Sequence, residues 1–247
     1  MNSLIKVLND FLIILSKVAT VTMLIPIIVA SSNSKYLNIQ LKVFYWFCIF
    51  RLFTSLFTQL VVELIYKYQS FFTPIIKRLG LQDMSFISIL AHLGNFVLLG
   101  WYFSLIIENK KIKRIIKVLT FFLFFAAIIN YLFIEGYKQK NVFNSTFSNL
   151  FCFVLPLTHL WFLFQEDTKV PIAKNPYFWI SIGLVIPNLT GLITSIIGKK
   201  LTQTNIALSL QVDIGYAVLQ ILGYLLIAVG FYYARYAKYL PQKTTTI

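Results

Sequence analysis

Carboxylates are scarce in this sequence: eight Asp and Glu stand against 22 Lys and Arg, and only 12% of the 247 residues are charged. Soluble domains carry about 25% charged residues, so the polar surface that a water-soluble fold of this size needs is missing. Cysteine is rare as well. Cys48 and Cys152 form no CxxC pair and both lie inside apolar runs, so no disulfide framework is indicated and each reads as a small buried apolar residue. There is no GxSxG, no P-loop and no dinucleotide fingerprint, and with them goes any sign of a cofactor. No connection between apolar runs is long enough to hold a soluble domain.

What fills the chain instead is apolar: 58% hydrophobic residues, 17% aromatics and a mean hydropathy of +0.77. A membrane-spanning helix needs about 20 mostly apolar residues. Seven stretches meet that length, at about 11–30, 41–65, 86–107, 115–134, 143–164, 177–197 and 206–233. The expected fold is therefore all-α, a polytopic bundle of seven transmembrane helices with short loops, forming one domain over 1–247. Lys6, an apolar run and Val29-Ala30-Ser31-Ser32 have the outline of a signal peptide. Lys17 interrupts that run and Asp10 dilutes its positive head, so the first span is expected to stay.

The formal charge of +14 would point a soluble chain toward nucleic acid. Here the basic residues fall between the apolar runs and read as anchors on anionic lipid headgroups, with no nucleic-acid partner. The densest group is Lys110, Lys111, Lys113, Arg114 and Lys117. Taking the connections in turn, 12 basic residues lie on the side of the C-terminus and 9 on the side of the N-terminus, with Arg51 inside a span completing the 22. That bias predicts an external N-terminus and a cytoplasmic C-terminus. Tyr36, Tyr66, Tyr68, Tyr137, Tyr177, Trp179, Tyr232 and Tyr233 fall where interface belts form.

From Asn109 onward the runs ENKKIKRIIKVL, IINYLFIEGYKQKN and KNPYFWISIGL occur in that order. This wording resembles an uncharacterised group of seven-span proteins of Bacteroidota-type bacteria. The resemblance covers about 100 residues well and implies seven spans in a bacterial inner membrane. It brings no activity, and no functional residue is carried over from it.

Polar groups inside the spans are the candidates for chemistry. A charge at the bilayer centre costs roughly 2.5–3.5 kcal/mol on insertion scales, so Arg51 is expected to face the bundle and to contact a carboxylate or several backbone carbonyls. Thr54, Ser55 and Thr58 share its face at 100° per residue. Glu63 lies three turns on and about 120° round, which makes Asp213 the better carboxylate by depth. The third span places Ser85, Ser88, His92 and Asn95 on one face. The fifth has Ser145, Ser148, Cys152 and His159, and the sixth Ser181, Asn188, Gly191 and Ser195. The seventh has Asp213, Tyr216, Gln220 and Tyr224 on one stripe. Such seams either stitch helix pairs together or converge on one water-accessible pocket holding His92, His159 and Asp213, with Gln220 and Tyr224 extending it.

Three functions fit. The first is a non-enzymatic membrane module, a sensor, ligand-binding protein or subunit with a membrane-protein partner. The second is a carrier for a small solute or ion, using Arg51, Glu63, His92, His159 and Asp213 around a cavity. The third is a lipid-active hydrolase. Zinc on His92, His159 and Asp213 would need three ligands from three separate helices with no HxxxH or HExxH pair. A retinal protein is excluded, because the last span holds no lysine for a Schiff base.

Overall fold

The structure is a computed structural model that describes residues 3–79, 87–137, 141–165 and 171–240. No strand occurs among these described residues. Seven helices are long and apolar enough to cross a membrane, so the protein is a multi-pass membrane protein. They are α1 (Ser3–Ser32), α2 (Ile39–Lys67), α4 (Ser88–Ile106), α5 (Lys110–Ile134), α6 (Val142–Gln165), α7 (Pro176–Thr204) and α8 (Ile206–Tyr232). A shorter helix, α3 (Gln69–Leu79), follows the second span.

Asparagine starts four of these helices by the same chemistry. The side chains of Asn38, Asn109, Asn175 and Asn205 accept hydrogen bonds from the backbone N–H groups of Leu41, Lys111, Tyr177 and Leu208, at 2.9–3.1 Å. Each satisfies a donor that the first helical turn leaves orphaned. Proline shapes α1. Pro26 has no N–H and its ring crowds the carbonyl of Thr22, and the helix is interrupted by a turn at Met23. In α4 the residues Asn95–Leu99 widen into a π-helical segment.

Two boundaries differ from the sequence expectation. The segment between the second and third spans, expected as a loop because of its charges and Pro74, contains α3. Its apolar residues Phe71, Phe72, Ile75, Ile76 and Leu79 occupy a single arc of about 140° at 100° per residue. Likewise α7 continues past the apolar run to Thr204, because nothing breaks it before Asn205 adopts an extended φ of −152°. The polar loop expected there shrinks to a tight turn.

Six of the spans close a ring. α8 packs between α7 and α1, α7 continues onto α6, α6 onto α4, α4 onto α2, and α2 returns to α1. α5 stands outside this ring against α4 and α6, with Phe121, Phe122 and Phe133 exposed toward the lipid. The tightest crossing is between α7 and α8. A Cβ added at Gly183 would meet the carbonyl oxygen of Gly223 at 2.7 Å, and one added at Gly223 would meet that of Gly183 at 2.6 Å. Only glycine lets the two backbones approach this closely, as small residues do where membrane helices cross.

Candidate functional site

The ring encloses a cavity of about 330 Å³, and each of its six helices contributes to the wall. A volume of that size holds roughly ten waters, at about 30 Å³ each in the liquid. The lining starts near the C-terminal end of α7 at exposed Thr202 and passes Ser209, Asp213, Tyr216, Asn188 and Gln220. It ends at buried Phe47, Leu99, Leu184 and Ile227. The upper wall is polar and the floor is apolar.

Arg51 is the cation of this cavity. It sits in α2 among Phe47, Cys48 and Thr54, and its guanidinium meets neutral groups. Nη1 donates to Oδ1 of Asn95 at 3.4 Å, and the Tyr224 hydroxyl lies near enough to interact with the guanidinium. The expectation of an interior-facing arginine holds in this geometry, but with an amide and a phenol in place of the carboxylate or carbonyls expected. Asp213 lines the same cavity nearer its mouth. Eleven residues separate it from Tyr224 along α8, about 16 Å of helical rise.

A guanidinium carries five N–H donors in a fixed fork. The two neutral partners anchor it without neutralising it, and the fork faces a polar space large enough for a small solute. Asn95 is held in turn, because its Nδ2 donates to Ser148 Oγ at 2.9 Å. Ser148 itself is hydrogen-bonded with Cys152. Asn95 opens the π-helical segment of α4. His92, one turn earlier, also lines the cavity, and its Nδ1 is buried without a hydrogen-bond partner.

The sequence-predicted residues thus separate into two sets. Arg51, His92, Asn95, Asp213, Gln220 and Tyr224 come together around the cavity. His159 does not. It is buried deeper, with its Nδ1 2.9 Å from Ser181 Oγ, and so joins α6 to α7. It lines a separate pocket of about 100 Å³ with Glu108, Asn109 and Tyr177. Glu63 is exposed near the end of α2 and does not line the cavity. Ser85 lies outside the described residues. Lys110, Lys111, Arg114 and Lys117 are exposed at the start of α5 and Lys113 is half-buried, all on the far side from the mouth of the cavity.

Several polar residues stitch helices, as the simpler reading of the seams expects. Thr20 of α1 meets Ser55 at 3.1 Å and accepts from Gln59 Nε2 at 2.7 Å, while Asn149 Nδ2 donates to the Gly191 carbonyl at 2.9 Å. The sequence reading also passed over a buried cluster outside the ring. Asn130 Nδ2 donates to Glu135 Oε2 at 3.0 Å and to Asn141 Oδ1 at 2.7 Å, and Asn144 Nδ2 donates to the Ala127 carbonyl at 3.1 Å. The signal was present as three asparagines flanking one short connection.

Among the described residues no three His, Cys, Asp or Glu side chains gather into a group that could hold a metal ion. The trio His92, His159 and Asp213 considered for zinc is divided between two pockets. Among the described residues the polar wall offers one half-buried cation, hydrogen-bonding amides and phenols, and an unsatisfied imidazole nitrogen. These groups are mostly hydrogen-bond donors, the type that suits an anionic group. Comparison of the chain with protein-family models, curated proteins and solved structures finds no match.

Proposed function

We propose that the protein is a non-enzymatic, ligand-binding membrane protein whose site takes a small anionic solute against Arg51. The observation that carries this reading is a half-buried arginine held by two neutral side chains at the edge of a 330 Å³ cavity. Burying a cation without a countercharge is costly, and an anion bound in the cavity would relieve that cost. Carboxylates and phosphates match the guanidinium fork in two-point geometry. Tyr224, Gln220 and the free nitrogen of His92 would supply further hydrogen bonds.

The location that goes with this reading is a bacterial inner membrane, with the N-terminus outside and the C-terminus in the cytoplasm. It is supported by the 12-to-9 bias of basic residues and by the resemblance in the second half of the chain. The cavity then opens to the outside at the turn between α7 and α8. The basic group at the start of α5 would rest on anionic headgroups of the inner leaflet, and a membrane-protein partner would read out the bound state.

Thermal unfolding of the purified protein in detergent, titrated with sulfate, phosphate, acetate, succinate and glutamate, tests the binding. A ligand at 100 times its Kd stabilises by about 2.7 kcal/mol. At least one anion should raise the Tm of wild type and leave that of Arg51→Met unmoved. Equal shifts in both proteins, or none with any anion, would refute the site.

A further inference from the structure

The central cavity and the pocket around His159 lie on opposite sides of one aromatic partition. Phe44, Tyr102, Phe103 and Phe231 are fully buried between them. Ring centroids are 4.8 Å apart for Phe44 and Tyr102, 6.0 Å for Phe44 and Phe231, and 4.9 Å for Tyr102 and Phe103. Phe47, on the floor of the cavity, touches Phe44 at 5.4 Å, and Phe103 faces His159 at 6.2 Å. Beyond the partition, the second pocket is walled by Glu108, Asn109 and Asn175 at the opposite ends of the helices from Thr202. The bundle therefore holds two vestibules, one toward each face, separated by about two layers of rings.

We propose that the protein carries its anion across the bilayer by alternating access, with Phe44, Tyr102 and Phe231 as the gate between the Arg51 cavity and the His159 pocket. This rests on the anion-binding reading of the cavity and adds a path out of it. A cup that only binds needs one mouth and a well-packed floor. This floor has a defect, because the Tyr102 hydroxyl is buried in the partition without a hydrogen-bond partner. Leaving a buried hydroxyl unsatisfied is costly; a second arrangement that brings water or solute to it removes that cost.

The elements flanking the gate also wall the cavity. The π-helical segment Asn95–Leu99 links the arginine's partner to Tyr102 through α4, and such segments are frequent at functional sites. On the other side, α7 and α8 cross at Gly183 and Gly223, both of which line the cavity. Thr202 and Ser209 are joined by a 2.9 Å hydrogen bond, which ties α7 and α8 into one body at the cavity end. Rocking this body moves Phe231 away from Phe44.

Two native cysteines report the motion. Cys48 and Cys152 both line the cavity above the gate. The test is labelling by a membrane-impermeant anionic methanethiosulfonate, applied to each face of sealed membranes, on protein retaining Cys48 alone (Cys152→Ser) or Cys152 alone (Cys48→Ala). Glu108→Cys, in a background with both native cysteines removed, marks the far face. Carrying requires that Cys48 be labelled from both faces, with Phe44→Ala speeding labelling from the far face several-fold. Labelling of both cysteines from the Thr202 face alone, while Glu108→Cys reacts from the other, would overturn the proposal. The wild-type Phe44 measurement decides this even if Phe44→Ala fails to fold. Anion binding is read separately by thermal shift, so two-sided labelling without Arg51-dependent stabilisation would sink the ligand assignment, and one-sided labelling with it would sink the carrier.

Discussion

Replacing Arg51 by methionine separates a structural arginine from a ligand-binding one. Methionine keeps the length and apolar character of the stem and removes the charge and its five donors. If Arg51 served mainly to lock the bundle, its loss would leave Asn95 and Tyr224 as unpaired buried groups. Leaving a buried neutral donor or acceptor unsatisfied costs about 1–3 kcal/mol each. The geometry argues for much less. The Asn95 contact is 3.4 Å long, beyond the usual 2.7–3.2 Å range. Both partners line a cavity large enough to hydrate whatever the substitution frees.

The expected change in stability is therefore about 1 kcal/mol or less in either direction. At roughly 2–4 °C per kcal/mol for a chain of this length, Tm should move by less than about 4 °C. Anion binding should fall much further. One charge-assisted hydrogen-bonded contact contributes about 1.5–3 kcal/mol, so affinity should drop roughly 10- to 150-fold. Thermal unfolding in detergent, with and without the stabilising anion, measures both quantities on one sample. A fall in Tm of 10 °C or more with the anion effect intact would refute the reasoning and return Arg51 to a packing role.

Ser181→Ala should lower stability by about 1–3 kcal/mol, because it orphans buried His159, while leaving anion stabilisation unchanged in the same melting assay. Asn130→Ala should cost a similar 1–3 kcal/mol through the loss of its bonds to Glu135 and Asn141, again without effect on binding. Gly223→Leu places a side chain where even a Cβ would lie 2.6 Å from a carbonyl oxygen; it should yield protein that inserts but runs as an aggregate on size-exclusion chromatography. Reporter fusions after Asn109 and at Ile247 should both read cytoplasmic, and an external reading at Ile247 would reverse the orientation.

The seven spans were legible because crossing a bilayer imposes one simple demand, about 20 apolar residues per helix, and each run meets it. The faces of the polar seams were legible for similar local reasons. Depth was not. Cys152 and His159 are seven residues apart, nearly two whole turns, so periodicity puts them on one face. About 10 Å of rise separates them, and the aromatic partition falls within that interval. Phe44, Tyr102 and Phe231 come from three helices, and no spacing in the chain announces that they meet.

The partners of Arg51 were misread for a related reason. A sequence shows which residues carry charge, and a carboxylate was the natural expectation for a buried cation. What decides the matter is where the neutral donors and acceptors lie. The helical wheel put Asn95 on the cavity face of its span, but not opposite Arg51, which depends on how α2 and α4 are aligned in depth. α3 was missed because Pro74 and the charges Lys77 and Arg78 read as loop signals, although its apolar arc is continuous once the segment is wound into a helix.

The central claim is that Arg51 holds an anion in a cavity open to solvent, and locating a heavy anion beside it is the most direct test. Crystals of the purified protein grown with sodium bromide and measured at the bromine absorption edge would show the ion by its anomalous signal. The account predicts a peak within about 4 Å of the Arg51 guanidinium, the contact distance of an ion pair, in the cavity lined by Gln220 and Tyr224. The same data from Arg51→Met should lack it. Peaks confined to the surface lysines at the start of α5, with packed side chains filling the space beside Arg51, would contradict the account.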